Sequence, residues 1–88
     1  MYYDIIHVEP RKGYRLLIRF ADGLEGEVDV SDLAGKGVFK AWKKPGFFAK
    51  AYIDPESRTV CWPGDIDLAP DALYEDIAAL QKRKTKAA

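Results

Sequence analysis

Apolar and polar residues alternate cleanly through residues 14–20. Tyr14, Leu16, Ile18 and Phe20 fall on one face, and Arg15, Leu17 and Arg19 on the other. That period of two marks a half-buried strand. Residues 24–30 repeat it, with Leu24, Gly26, Val28 and Val30 opposed to Glu25, Glu27 and Asp29. Register then selects the loop between them. A two-residue loop at Asp22-Gly23 sets apolar residues opposite acids. A three-residue loop, Ala21-Asp22-Gly23, pairs Phe20 with Leu24, Ile18 with Gly26 and Leu16 with Val28. It also pairs Arg19 with Glu25 and Arg15 with Asp29. The pattern predicts this loop, a type I turn followed by glycine in the left-handed position. Each charge pair contributes about 0.2–1 kcal/mol, so the apolar face must hold the hairpin.

On either side of the hairpin the pattern is shorter. Residues 5–9 read as a first strand ended by Pro10, with Ile6 and Val8 on one face and Ile5 and His7 on the other. Pro10-Arg11-Lys12-Gly13 reads as a turn. Ser31-Asp32-Leu33 suits the cap of a helical turn. Phe39 and Trp42, three apart, share one side of a short helix over residues 38–42 that Pro45-Gly46 breaks. Residues 48–54 read as a fourth strand with Ala49, Ala51 and Ile53 on one face. Asp54-Pro55-Glu56-Ser57 turns into a fifth strand over 58–62.

The segment from Val60 to Tyr74 closes this arrangement. Pro63 cannot donate to a ladder, and Pro63-Gly64 supplies a turn. Ile66 and Leu68 then share one face of a short extended run. Pro70 suits the first helical position and Asp71 the first turn. Leu73, Ile77 and Leu80 follow at helical spacing, and Lys82, Arg83 and Lys84 sit where the helix dipole prefers cations. The spacing predicts a helix over about 70–83. Asp67 is expected to accept backbone N–H groups before Pro70. Trp62 and Tyr74 are expected to cover the end of the core, with their polar tips bonded near the turn. The fold expected is α+β in two layers: an antiparallel sheet of about five strands, ordered β-β-β-short α-β-β-α, covered by the C-terminal helix. Residues 1–81 form a single domain, and 82–88 a frayed basic tail.

Three stretches carry a family resemblance. Trp62-Pro63-Gly64-Asp65-Ile66-Asp67-Leu68-Ala69-Pro70-Asp71-Ala72-Leu73-Tyr74 resembles the signature W-P-x-G-x-D-x-x-P-x-x-L-Y of a small bacterial family, domain of unknown function 2442. Phe20-Ala21-Asp22-Gly23 resembles its F-x-D-G hairpin. Glu27-Val28-Asp29-Val30-Ser31-Asp32-Leu33 resembles its V-D-L-S-x-L run. The signature positions here are Asp22, Gly23, Asp29, Trp62, Pro63, Asp67, Pro70, Leu73 and Tyr74. One departure is visible: glycine stands at Gly64, one place early, and Asp65 occupies the usual glycine position. The resemblance implies a small cytoplasmic α+β module without established activity. Relatives of this kind are sometimes fused to helix-turn-helix DNA-binding domains and often encoded beside toxin-like partners, which implies an antitoxin-like role.

Composition narrows the reading. The chain has 88 residues and 48% hydrophobic content, enough for one small domain. A single cysteine forms no internal disulfide and points to a reducing compartment. No signal-peptide pattern opens the sequence, and no apolar run reaches membrane-spanning length. A cytoplasmic protein with no membrane partner is expected. The net charge is zero, but the charges are segregated. Lys36, Lys40, Lys43, Lys44 and Lys50 occupy a stretch with no acid, and Lys82, Arg83, Lys84 and Lys86 form the tail.

Candidate chemistry is sparse. His7 and Cys61 are single representatives of their kinds, and a thiol–imidazole dyad needs their strands adjacent. Cys61 beside Trp62 more simply acts as a small buried hydrophobe. Asp65, Asp67 and Asp71 crowd one turn, but their spacing matches no calcium loop. Neither a phosphate loop, a triad spacing nor a zinc pattern is present. No enzyme, metal or cofactor is expected. The distinctive stretch is 36–50, where lysines interleave with Phe39, Trp42, Phe47 and Phe48. Lys40, Trp42, Lys43, Lys44 and Phe47 are the expected contacts for another cytoplasmic protein, in the family's context a toxin-like one. The same mixture suits single-stranded nucleic acid, the less favoured partner. An open edge of the first strand offers a route to a homodimer.

Overall fold

The computed structural model describes residues 3–87, with side chains for 3–81. The fold is α+β. It holds two three-stranded antiparallel sheets and a C-terminal helix. Strands β1 (Ile5–Arg11), β2 (Arg15–Phe20) and β3 (Glu25–Asp29) form the first sheet in sequential order. Strands β4 (Tyr52–Ile53), β5 (Val60–Trp62) and β6 (Ile66–Asp67) form the second. Helix α1 spans Pro70–Ala87. Two 3₁₀ helices, Gly37–Lys43 and Phe48–Lys50, lie between the sheets in sequence.

The β2–β3 hairpin has the register its apolar pattern demands. Leu16 faces Val28, Ile18 faces Gly26 and Arg19 faces Glu25. Phe20 N–H donates to the Leu24 carbonyl at 2.8 Å, closing the three-residue loop. Leu16, Ile18, Phe20 and Val28 are buried. On the outer face Arg19 meets Glu25 at 3.0 Å, as expected. Arg15 faces Asp29 in the register, as expected, while its guanidinium reaches diagonally to Glu27 at 3.5 Å. The Asp29 carboxylate instead accepts the Ser31 N–H at 2.9 Å.

Four expectations about the strands need correction. The single sheet of about five strands is two sheets, and the strand expected over 48–54 shrinks to Tyr52–Ile53. Phe47 and Phe48 are the cause. Adjacent strand residues point to opposite faces, whereas the 3₁₀ turn packs both against the core. The Phe48 ring sits 5.0 Å from Trp42 and 5.6 Å from Trp62, and the Phe48 carbonyl accepts the Trp62 indole N–H at 2.9 Å. In β1 a bulge between Ile5 and His7 re-aims the side chains. Ile5 turns into the core, while Ile6 and His7 both lie exposed. Pro10 does not end that strand. β1 is the sheet's edge, where a missing N–H is tolerated.

The two sheets adjoin where Ile5 N–H donates to the Arg58 carbonyl at 2.9 Å. Helix α1 packs on β3, burying Leu73 and Ile77. Leu80 was expected on that face but is 41% exposed. The approach is close because β3 offers Gly26: a Cβ there would fall 2.7 Å from Ile77 Cγ2. The helix runs past the expected end at 83. The side chains of 82–88, and with them the expectation for the basic tail, lie outside the described residues.

The β5–β6 turn accommodates the displaced glycine. Gly64 and Asp65 both take positive φ, +93° and +62°. Asp65 thus adopts the left-handed conformation that glycine takes without strain, and aspartate tolerates it better than most residues. Thr59, buried at the start of β5, donates to the Leu68 carbonyl at 2.7 Å and fastens the strand beyond this turn.

Candidate functional site

Of the signature aspartates, Asp22 ties the hairpin loop to the helix start. Asp22 Oδ1 accepts the Leu24 N–H at 2.9 Å, and Asp22 Oδ2 accepts the Tyr74 hydroxyl at 2.6 Å. The bond to Tyr74, followed by that to Leu24, holds the Asp22 carboxyl below the usual range. The same bond pushes the Tyr74 phenol up. The Tyr74 ring rests 4.9 Å from Phe20 and 4.8 Å from Tyr3. Hairpin loop and helix start are therefore pinned together. Asp54 works similarly, accepting Ser57 N–H at 2.8 Å and Glu56 N–H at 3.2 Å, and is held low chiefly by Ser57. The expected backbone bonds to Asp67 are not found among the described residues: Asp67 is an exposed strand residue opposite Cys61.

His7 and Cys61 are not brought together. His7 lies on the exposed side of β1, 3.9 Å from Glu9. Cys61 lies in the other sheet, its Sγ directed at the Thr59 carbonyl at 3.7 Å. Cys61 borders a recess of about 280 Å³ with Asp54, Asp65 and Asp67. Burial, with Asp54 and Asp67 nearby, pushes its thiol above the ordinary value. A nucleophilic thiol needs the opposite shift. Among the described residues no group of three or more His, Cys, Asp or Glu is placed to hold a metal ion.

The site with most character lies where the β1–β2 turn meets the 3₁₀ segment. An open cleft of about 530 Å³ runs between Pro10–Tyr14 and residues 42–49. Its apolar floor comes from Tyr14, Trp42, Phe48 and Ala49, and its cations are Arg11, Lys12 and Lys44. No acid lines it. Arg11 is held by Glu9 at 3.0 Å and Glu27 at 3.1 Å, contacts that raise its pKa. Lys12 and Lys44 have no ion pair among the described residues.

The cleft floor is part of a larger aromatic cluster. Trp42 lies 4.8 Å from Trp62, 4.7 Å from Phe39 and, stacked, 6.2 Å from Tyr14. Tyr14 has φ +57°, costly for an aromatic residue. It is held there because its carbonyl accepts Val30 N–H at 2.9 Å and its ring meets Phe48 edge-on at 5.3 Å.

Of the five contacts expected from sequence, the cleft gathers only Trp42 and Lys44. Trp42 is 2% exposed and cannot serve as a surface contact; it is core, with its indole N–H lacking a hydrogen-bond partner among the described residues. Lys40 is exposed on the first 3₁₀ helix. Lys43 lies across Gly35, where a Cβ would fall 3.1 Å from its Cε. Phe47 is half-buried, with Lys50 Nζ 5.9 Å from its ring centre. Arg11, Lys12 and Tyr14 were missed. The adjacent cations of Pro10-Arg11-Lys12-Gly13 were the available signal, but periodicity could not say what faced that turn.

Among the described residues no helix is long and apolar enough to cross a membrane. Comparison with curated proteins and with solved structures yields no match. A family model does match, over residues 5–79, which take in all strands of the two sheets and the first turns of α1. The chain therefore belongs to the family described as "Protein of unknown function (DUF2442)".

Proposed function

We propose that this protein is a small non-enzymatic interaction module of the cytoplasm, acting as a regulatory partner of another protein. The observation behind this reading is a run of exposed lysines over 36–50, with no ion pair among the described residues, of which Lys44 joins Lys12 in lining a cleft, in a chain of zero net charge. Such a patch steers an acidic partner and selects its orientation. The contact surface is the exposed side of 36–50, with Lys40, Lys43, Lys44 and the half-buried Phe47. Trp42 supports it from beneath. A toxin-like protein encoded nearby is the partner class that the family resemblance suggests.

The test is co-expression with the product of the adjacent gene, followed by calorimetry. A stoichiometric complex is expected, and the triple variant Lys40→Glu/Lys43→Glu/Lys44→Glu should lose it. A complex indifferent to all three reversals would remove the surface from the proposal. Nucleic-acid binding through the same lysines is the competing reading. It predicts affinity that falls steeply with salt, and a flat response rejects it.

A further inference from the structure

We infer that the cleft between the β1–β2 turn and residues 44–49 receives an acidic segment of the partner protein, with Lys12 and Lys44 meeting carboxylates. This inference rests on the interaction-module reading and gives it a ligand chemistry. The site is bipartite. Lys12 comes from the hairpin turn and Lys44 from the end of the 3₁₀ helix, and both line one concave surface without an acid. Two unpaired ammonium groups beside an apolar floor suit a chain that alternates carboxylates with an apolar side chain. The floor is Tyr14, Phe48 and Ala49.

The floor is also pre-organised. Gly13 and Tyr14 hold consecutive positive φ values of +78° and +57°, and the Tyr14 ring is locked against Trp42 and Phe48. Strained backbone that surrounding contacts over-determine is characteristic of binding sites. A fixed floor spares a ligand the entropy of ordering it.

A nucleic acid fits less well. Base stacking needs open ring faces, but Trp42 is buried and Tyr14 stacks on it. Phe48 spends its contacts on Trp42, Trp62 and Tyr14. The carboxylates of Glu9 and Glu27 flank the cleft at Arg11. They repel an extended phosphate backbone that runs out of the cleft along β1, whereas a short acidic segment need not reach them.

The test uses the full-length protein and a fluorescein-labelled peptide of six glutamates around a central Phe-Leu pair. Anisotropy is read at low and at physiological salt. Oligothymidine and a lysine-for-glutamate version of the peptide are run in parallel. The acidic peptide should bind, more weakly as salt rises. Lys12→Glu and Lys44→Glu should each lower affinity about tenfold. Lys36→Glu and Lys50→Glu make the same charge change outside the cleft lining and should lower it less than about threefold. Circular dichroism confirms folding of each variant. No binding at low salt, equal losses from Lys12→Glu and Lys36→Glu, or tighter binding of oligothymidine each overturns the inference. Failure of the cleft alone is distinct from failure of the broader reading, in which no native complex forms. If Lys40→Glu/Lys43→Glu abolishes the native complex while Lys12→Glu leaves it intact, the interaction module stands and the cleft is not its site.

Discussion

Replacing Gly26 by alanine tests how α1 sits on the sheet. The backbone at Gly26 does not have positive φ, so alanine meets no conformational penalty. What it meets is Ile77, with the new Cβ 2.7 Å from Cγ2 and 3.6 Å from both Cβ and Cγ1. Carbon atoms rest about 3.5–4.0 Å apart, so helix and strand must separate by roughly 1 Å. Ile77 is 0% exposed, and its branched Cβ stiffens χ1, so the methyl cannot swing away. Overpacking of this kind costs about 1–3 kcal/mol. Removing glycine from the unfolded chain returns about 0.4–1 kcal/mol. The net loss should be about 1–2 kcal/mol, read from urea unfolding followed by tryptophan fluorescence. Ile77→Ala alone should cost about 2–5 kcal/mol, but it removes the offending methyl. In that background Gly26→Ala should be neutral or stabilising, giving a coupling of at least about 1 kcal/mol. An equal loss in both backgrounds, or none in the wild type, would refute the close docking of α1.

Further outcomes follow from individual bonds. Trp62→Phe should destabilise by about 1 kcal/mol more than Trp42→Phe, because only Trp62 loses an indole hydrogen bond, to the Phe48 carbonyl, which keeps the longer one from Ala51 N–H at 3.4 Å; paired urea titrations measure the difference. Thr59→Val should cost about 1–2 kcal/mol by stranding the Leu68 carbonyl, and Thr59→Ser should keep most of that bond, compared by thermal unfolding. Asp22, Asp29 and Asp54 are held low by Tyr74, Ser31 and Ser57 respectively. Their contribution is therefore complete above about pH 4 and lost as pH falls through the lowered folded values. Tyr74 is held high, so its contribution is complete below about pH 10 and lost as pH rises through the raised value. A urea midpoint that declines at both extremes, with Tyr74→Phe removing the alkaline decline, is the expected profile. Cys61, with its thiol pushed up, should react slowly with iodoacetamide at neutral pH and quickly once unfolded; mass spectrometry over time decides.

Legibility followed periodicity. The β2–β3 hairpin was readable to the residue because alternation runs unbroken on both sides of a loop whose length is tied to register. The helix start was readable from Pro70 and Asp71. The bulge in β1 was not, since Ile5, Ile6 and Val8 are all apolar and alternation cannot say which turns outward. The stretch 48–54 misled for a related reason. Phe48 has strong strand preference, yet its ring is drawn to Trp42 and Trp62, and a 3₁₀ turn keeps it and Phe47 against the core. The cleft joins two segments about thirty residues apart, and no local pattern records that encounter. Its lysines were visible as a charge run; which of them share a concave wall was decided by tertiary packing. Trp42 shows the limit best. An aromatic between lysines reads equally as bait or as ballast, and only its surroundings distinguish the two.

The bond from Asp22 to Tyr74 joins residues 52 positions apart in sequence. During synthesis the whole β2–β3 hairpin leaves the ribosome well before its cover exists. Until α1 emerges, the face of β3 that it covers stays open, and the notch at Gly26 stays empty. A nascent chain halted after Ala69 therefore presents part of its core uncovered, the kind of species that chaperones hold and that aggregates when they do not. Closure of the fold around β3 therefore waits on α1.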